Sequence, residues 1–232
     1  MKPKLLFLLC MIYAQGQSIH PDLLIGKGNP PWAEEGLHPT ALEAFKTMQD
    51  AAKTDGIGLE IVSGYRSYER QRSIWNRKYR QFTSEGMTGL EAIQKIISYS
   101  TLPGTSRHHW GTEIDVTDGS IPKEGDILLA EKFHNSGPYE PLRLWMETHA
   151  SDFGFFLVYT NDPSRKGFAY EPWHYSYVPL SNNYLKAYMQ IDLKELVKDD
   201  KLEGGEHLDT VFLENYKKQH ILDINPALID RQ

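Results

Sequence analysis

The chain is nearly devoid of cysteine: Cys10 is the only one among 232 residues. It sits in the apolar run 5–12, which follows Lys2 and Lys4 and leads into the small and polar residues Ala14, Gln15, Gly16 and Gln17. That run is too short to span a bilayer and has the layout of a secretory leader. Residues 1–16 are therefore read as a signal peptide, with cleavage expected after Ala14 or Gly16 and export to a periplasmic or other extracytoplasmic site. Lipid anchoring through Cys10 is the weaker alternative, because the apolar stretch before it is short and Leu9 is not small. The mature chain would hold no thiol and no membrane span, which excludes disulfides and leaves stability to packing and to any bound metal.

Positive charge is also scarce. The 25 basic residues face 31 acidic ones, a net charge of -6, and loss of Lys2 and Lys4 leaves 23 against 31, or -8. An acidic chain has no electrostatic basis for binding nucleic acid or an anionic membrane surface. Internal repeats and Ser/Gly/Pro linkers are lacking too, so the mature chain is expected to form one domain. What is present, 40% hydrophobic and 12% aromatic residues, is enough for a packed core.

Residues 17–58 begin as an irregular, proline- and glycine-rich lead-in that Trp32 is expected to pin, followed by a helix over 40–53. In that helix Thr40 is the expected cap, and Leu42, Phe45, Met48 and Ala52 give the apolar face. A strand over 59–62 exits through Ser63-Gly64-Tyr65-Arg66-Ser67, and helices are expected over 68–82 and 88–98. The stretch 112–117 alternates as a strand does, with Glu113, Asp115 and Thr117 on one side and Ile114 and Val116 on the other. A helix ending at His149 precedes two further strands, 153–159 and 170–178, joined by a polar loop and expected to form a hairpin. Residues 181–232 read as a helical C-terminal extension in two pieces, about 183–197 and 208–219. The fold class is α+β: a small antiparallel sheet within 59–180 that carries the site, packed by helices.

The chemistry concentrates in Ser106-Arg107-His108-His109-Trp110-Gly111-Thr112-Glu113-Ile114-Asp115. His108 and Asp115 converge if the chain turns at Gly111 and then enters the strand, which makes half of a zinc site. A catalytic zinc needs three protein ligands, an open position for water and a carboxylate nearby. His174 is the best third ligand, because Glu171, three residues earlier, can serve as general base. Residues three apart on a strand point to opposite faces, so both reach one point only if the strand is interrupted, and Pro172 interrupts it. The remaining histidines, His20, His38, His134, His149, His207 and His220, read as structural or exposed, and His109 as packing beside the site.

These residues carry a resemblance. The run 106–115 matches the Ser-x-His-x-x-Gly-x-x-x-Asp pattern of the D-alanyl-D-alanine carboxypeptidase/dipeptidase family of zinc peptidases, the VanY-like group. Glu171-Pro172-Trp173-His174 matches its Glu-x-x-His element, and 63–67 with Gln71 looks like its substrate-side motif. The resemblance implies one zinc ion held by His108, Asp115 and His174, with Glu171 activating water and Arg66 stabilising the oxyanion or orienting the carbonyl. It implies substrate contacts from Ser106 and Gln71, and hydrolysis of peptidoglycan stem peptides, foremost D-Ala-D-Ala carboxypeptidase activity. An endopeptidase, or a zinc- or cell-wall-binding module without catalysis, stays open as an alternative. Glu113 departs from the pattern, since many relatives have a small apolar residue there; it is placed to reach the pocket or to pair with Arg107.

Overall fold

The computed structural model describes residues 19–229, so the expected leader and Cys10 lie outside the described residues. In chain order the elements are α1 (Pro21–Leu24), α2 (Pro39–Thr54), β1 (Leu59–Ser63), α3 (Tyr68–Ser84), α4 (Gly89–Ile96), β2 (Glu113–Asp118), α5 (Glu140–His149), β3 (Phe155–Leu157), β4 (His174–Tyr177), α6 (Val178–Tyr188), α7 (Leu193–Leu196) and α8 (Thr210–Tyr216). Helix α2 starts earlier than expected. Pro39 takes the first position, where its missing N–H costs nothing, and His38 rather than Thr40 is the cap, accepting from the Thr40 N–H at 3.3 Å. Thr88 and Glu91 cap α4 reciprocally, side chain to backbone in both directions.

The four strands form one antiparallel sheet in the order β1-β2-β4-β3, with β3 and β4 paired as the expected hairpin. Both hairpin strands are shorter than their apolar sequence suggested. A 3-10 turn over Ala150–Phe153 delays β3, and the turn around Pro172 leaves only four residues to β4. Alternation on β2 divides the sheet's faces. Ile114, Val116, Tyr175 and Phe155 join Phe45 and Met48 of α2 and Leu142, Trp145 and Met146 of α5 in one core. Glu113 and Asp115 stand on the opposite side, directly across from Ser176 and His174.

A second core is built mainly from helices, with Trp75 of α3, Ile93 and Ile96 of α4, and Tyr188, Leu196, Leu213 and Tyr216 from the C-terminal segment, and the β3 residue Phe156 packs against it. The C-terminal segment is helical in shorter pieces than expected, with a π turn over Lys217–Ile221 continuing α8. Its side chains bury Trp75 completely, and Glu203 O accepts the Trp75 indole N–H at 2.9 Å. Burying a large apolar side chain contributes roughly 1.5–3 kcal/mol, so this half of the molecule depends on the C-terminal helices. No described helix is long and apolar enough to cross a membrane.

Candidate metal centre

The 3-10 turn Arg107–Trp110 presents His108, and the loop after β1 holds it there. His108 O accepts the Arg66 N–H at 3.1 Å, His108 Nδ1 meets Gly64 O at 2.7 Å, and His109 Nδ1 meets Arg66 O at 2.6 Å. A carbonyl only accepts, so Nδ1 of each ring is the protonated nitrogen. His108 Nε2 faces Asp115 Oδ2 at 3.5 Å. His109 turns its other nitrogen to the Gly104 N–H at 3.2 Å, and burial pushes this ring down to about 3, so it stays neutral as a structural brace. The turn ends at Gly111 with φ 67, where a Cβ would lie 2.1 Å from the Trp32 ring; Trp32 does pin the lead-in, against this glycine.

Asp115 and His174 are direct partners across β2 and β4. Together with His108 they offer ligand atoms that all lie within 4.8 Å of one another, and all three residues are buried. The chemistry of this set fits a zinc ion: two imidazoles and one carboxylate are the donor number and type of catalytic zinc sites, which keep a fourth position for water. Burial pushes the Asp115 carboxyl up, but His108, His174 and Arg66 outweigh it, and the group is held below the usual carboxylate range.

Glu171 lies outside β4, so the strand needs no break within it to bring base and ligand together. The backbone closes a turn from the His174 N–H to Glu171 O at 3.1 Å, and Glu171 Oε2 comes within 2.9 Å of His174 Nδ1. The other face of the ring meets a second carboxylate, with His174 Nε2 3.2 Å from Glu113 Oε2. Burial alone pushes His174 down, but hydrogen bonds to Glu113 and Glu171 reverse this and hold it up to about 10. Without metal, the ring is an imidazolium between two carboxylates.

Glu113, the residue that departed from the motif, does pair with Arg107, at 3.2 Å. The same oxygen accepts from Ser176 Oγ at 2.6 Å and Thr112 Oγ1 at 3.0 Å. Burial pushes this carboxyl up, and Arg107 and His174 pull it down to about 2 overall.

A cavity of about 730 Å³ opens over the ligands, walled by Arg66, Ser106, Tyr159 and Glu171 among others. Arg66 reaches it from the loop after β1, its Nη2 donating to Ser63 Oγ at 3.1 Å and standing 4.0 Å from Asp115 Oδ2. Gln71 stands behind Arg66 rather than on the wall. Its Oε1 accepts from Arg66 Nη1 at 2.9 Å, and its amide nitrogen donates to Thr101 O at 2.7 Å. Tyr159, unremarked in the sequence, packs edge-on against the His174 ring at 5.2 Å, and burial raises its phenol well above the usual range, so the hydroxyl stays protonated. Period-two counting from His174 would have found Ser176. No local pattern marks Tyr159 or the Gly64 carbonyl.

Fold and site thus define an α+β protein with a buried two-histidine, one-aspartate centre at a cavity that also holds a glutamate and an arginine. The family model described as VanY, D-alanyl-D-alanine carboxypeptidase, matches residues 34–180, and the chain belongs to that family. A D-alanyl-D-alanine carboxypeptidase of Enterococcus faecalis is 28% identical over 158 residues, 68% of this chain and 54% of that protein. The bifunctional D-Ala-D-Ala dipeptidase and carboxypeptidase VanXYC of Enterococcus gallinarum is 30% identical over 66% of this chain and 74% of its own length. The chain therefore spans about half the length of the first of these relatives. Among solved structures, a vancomycin-resistance D,D-pentapeptidase VanY in complex with Zn(II) aligns with a TM-score of 0.50 at 27% identity, covering 69% of this chain and 83% of that one. The LdcB LD-carboxypeptidase aligns with the same TM-score, 0.50, at 29% identity over 70% of this chain and 68% of its own.

Proposed function

We propose that this protein is a zinc-dependent peptidase that hydrolyses peptidoglycan stem peptides, acting first of all as a D-Ala-D-Ala carboxypeptidase. The observation that carries the reading is the convergence of His108, Asp115 and His174 at a cavity whose wall also holds Glu171 and Arg66. The chemistry that a bound zinc ion supplies is polarisation of a carbonyl and a water whose pKa falls to about 7. Glu171, on its turn beside His174, takes a proton at its carboxylate and returns it to the leaving amine. Arg66 places a guanidinium where negative charge grows on the carbonyl oxygen, and Gln71 orients that guanidinium from behind. Ser106, buried on the cavity wall, contacts substrate. Export to the compartment that holds peptidoglycan belongs to the same proposal.

The enzyme reading is favoured over a binding module because a module needs neither Glu171 nor Arg66. The test is incubation of purified protein, with and without a chelator, with muropeptides ending in D-Ala-D-Ala, with products identified by mass. Chelator-sensitive loss of one terminal alanine is expected. Loss of the last residue from tetrapeptides instead would move the assignment to an L,D-carboxypeptidase, the activity named for LdcB. Cleavage inside the stem or a cross-link would make it an endopeptidase. No zinc-dependent cleavage of any stem peptide would sink the hydrolase reading.

A further inference from the structure

Two carboxylates flank His174, and they are not equivalent. Glu171 lies on the cavity wall, its side chain 13% exposed, and its contact to Nδ1 is made from a turn. Glu113 is fully buried on β2, stands away from the cavity wall, and its Oε1 is held by three donors, from Arg107, Ser176 and Thr112. Ser176 is itself held: its one proton goes to Glu113, and its Oγ accepts from the Ser181 hydroxyl across 2.8 Å, while the Arg107 guanidinium lies 4.7 Å over the Trp110 ring. Only Oε2 of Glu113 is left over, and it faces His174 Nε2 at 3.2 Å. An incoming ion meets the contact made from the cavity wall by Glu171, whereas Glu113 does not line the cavity and its other oxygen is committed to three donors.

The geometry points to Glu113 as the positioning residue of the metal centre: it accepts the Nε2–H of His174, commits Nδ1 to the ion, and is kept in place by Arg107, Ser176 and Thr112. A carboxylate that receives the second N–H of a metal-binding histidine fixes both its tautomer and its ring orientation, and losing such a partner typically weakens metal affinity 10–100-fold. The residue thus has a use that a bare ion pair with Arg107 would not explain, because the oxygen that meets the ring is the one that Arg107 does not touch. The identity of the ion rests on the zinc reading above; the choice of nitrogen does not.

The test compares the wild type with Glu113→Gln and with the double variant Glu113→Leu/Arg107→Met, which removes the acceptor and avoids stranding a buried guanidinium. Zinc affinity is measured by competition with a chromophoric chelator, and the ligating nitrogen by proton–cadmium couplings in protein loaded with ¹¹³Cd. Expected are coordination through Nδ1 of His174 in the wild type and zinc binding 10–100-fold weaker in the folded double variant, with Glu113→Gln, which keeps an acceptor oxygen, in between. Coordination through Nε2, or unchanged affinity in a folded double variant, overturns the proposal. If the wild type takes up no metal, the zinc reading falls, and nitrogen-15 spectra of the metal-free histidines still decide this one. A hydrogen-bonded Nε2 proton on His174 that vanishes in the double variant supports it, and its absence from the wild type overturns it.

Discussion

The two histidines that face the metal position are fixed by opposite means. His108 gives its Nδ1 proton to the Gly64 carbonyl, a backbone group of the loop that also carries Arg66. His174 leans on Glu113, a side chain that brings a buried guanidinium and two hydroxyls with it. A backbone anchor costs the fold no buried charge and cannot be removed by changing its own side chain. The carboxylate anchor holds the ring more strongly, but burying a charge costs several kcal/mol unless it is paired, so Arg107 must come with it. One side of the centre is therefore built from loop geometry, the other from a balanced cluster of charges beneath the sheet.

The most severe way to break this difference is to delete the ligands themselves. His108→Ala and His174→Ala should both lose zinc on dialysis, read as metal content by mass spectrometry, with hydrolysis falling below detection; retention in either would remove that residue from the ligand set. Next, Glu171→Ala should retain zinc while turnover drops about 10²–10⁴-fold, the usual contribution of a general base. Loss of metal instead would make Glu171 a ligand and reassign the contact at His174 Nδ1.

On the backbone side, Gly64→Ala places a Cβ 2.3 Å from Gly36 O, so the loop must shift and carry its carbonyl away from His108. A destabilisation of about 1–3 kcal/mol by denaturant melt, typical of forcing extra atoms into a packed site, should accompany weaker zinc binding. Unchanged affinity would show that the carbonyl is dispensable where Glu113 is not. Gln71→Leu should be milder, lowering turnover about tenfold through a misdirected Arg66, one hydrogen bond's worth of positioning, with zinc affinity unchanged. A rise in KM alone would place Gln71 in direct contact with substrate.

His220 supplies the smallest effect and the sharpest contrast. It is buried and stacked on Tyr216, and burial, against a smaller opposing pull from Asp223, lowers it to about 4. Its folded pKa lies below the unfolded value of about 6.5, so the neutral ring favours folding above that value. The benefit fades as pH falls from about 6.5 towards 4, because the unfolded chain then binds the extra proton. His220→Phe should flatten the acid side of the melting-temperature profile across that window. An unchanged profile would mean that burial does not govern this ring, and the contrast with His174, held up to about 10 by two carboxylates, would lose its basis.

Much of this was legible beforehand. The three side chains that converge, their order and the glutamate beside the last of them follow from residue chemistry at 106–115 and 171–174. Alternation along β2 set Glu113 and Asp115 on one side, and the helices over 39–54 and 68–84 agree with their apolar spacing to within two residues. Less legible were the strand ends at 153–159 and 170–178, because a run of apolar residues does not say which of them pair. Gln71 illustrates a further limit. Its place in a motif indicated importance, whereas its buried position behind Arg66 depends on how α3 packs against the loop at Thr101.

By itself the sequence determined the donors, their spacing and a second acidic residue two places before Asp115, because residue type and strand periodicity are local properties. Only the tertiary structure decided that Asp115 lies across from His174, that Gly64 lends its carbonyl to His108, and that Glu113 spends one oxygen on Arg107 and the other on the ring. Apart from the Glu113–Arg107 pair, six positions apart, those choices join residues 44 to 61 positions apart. Register, loop packing and the pairing of buried charges settle them together, and no stretch of chain encodes them alone.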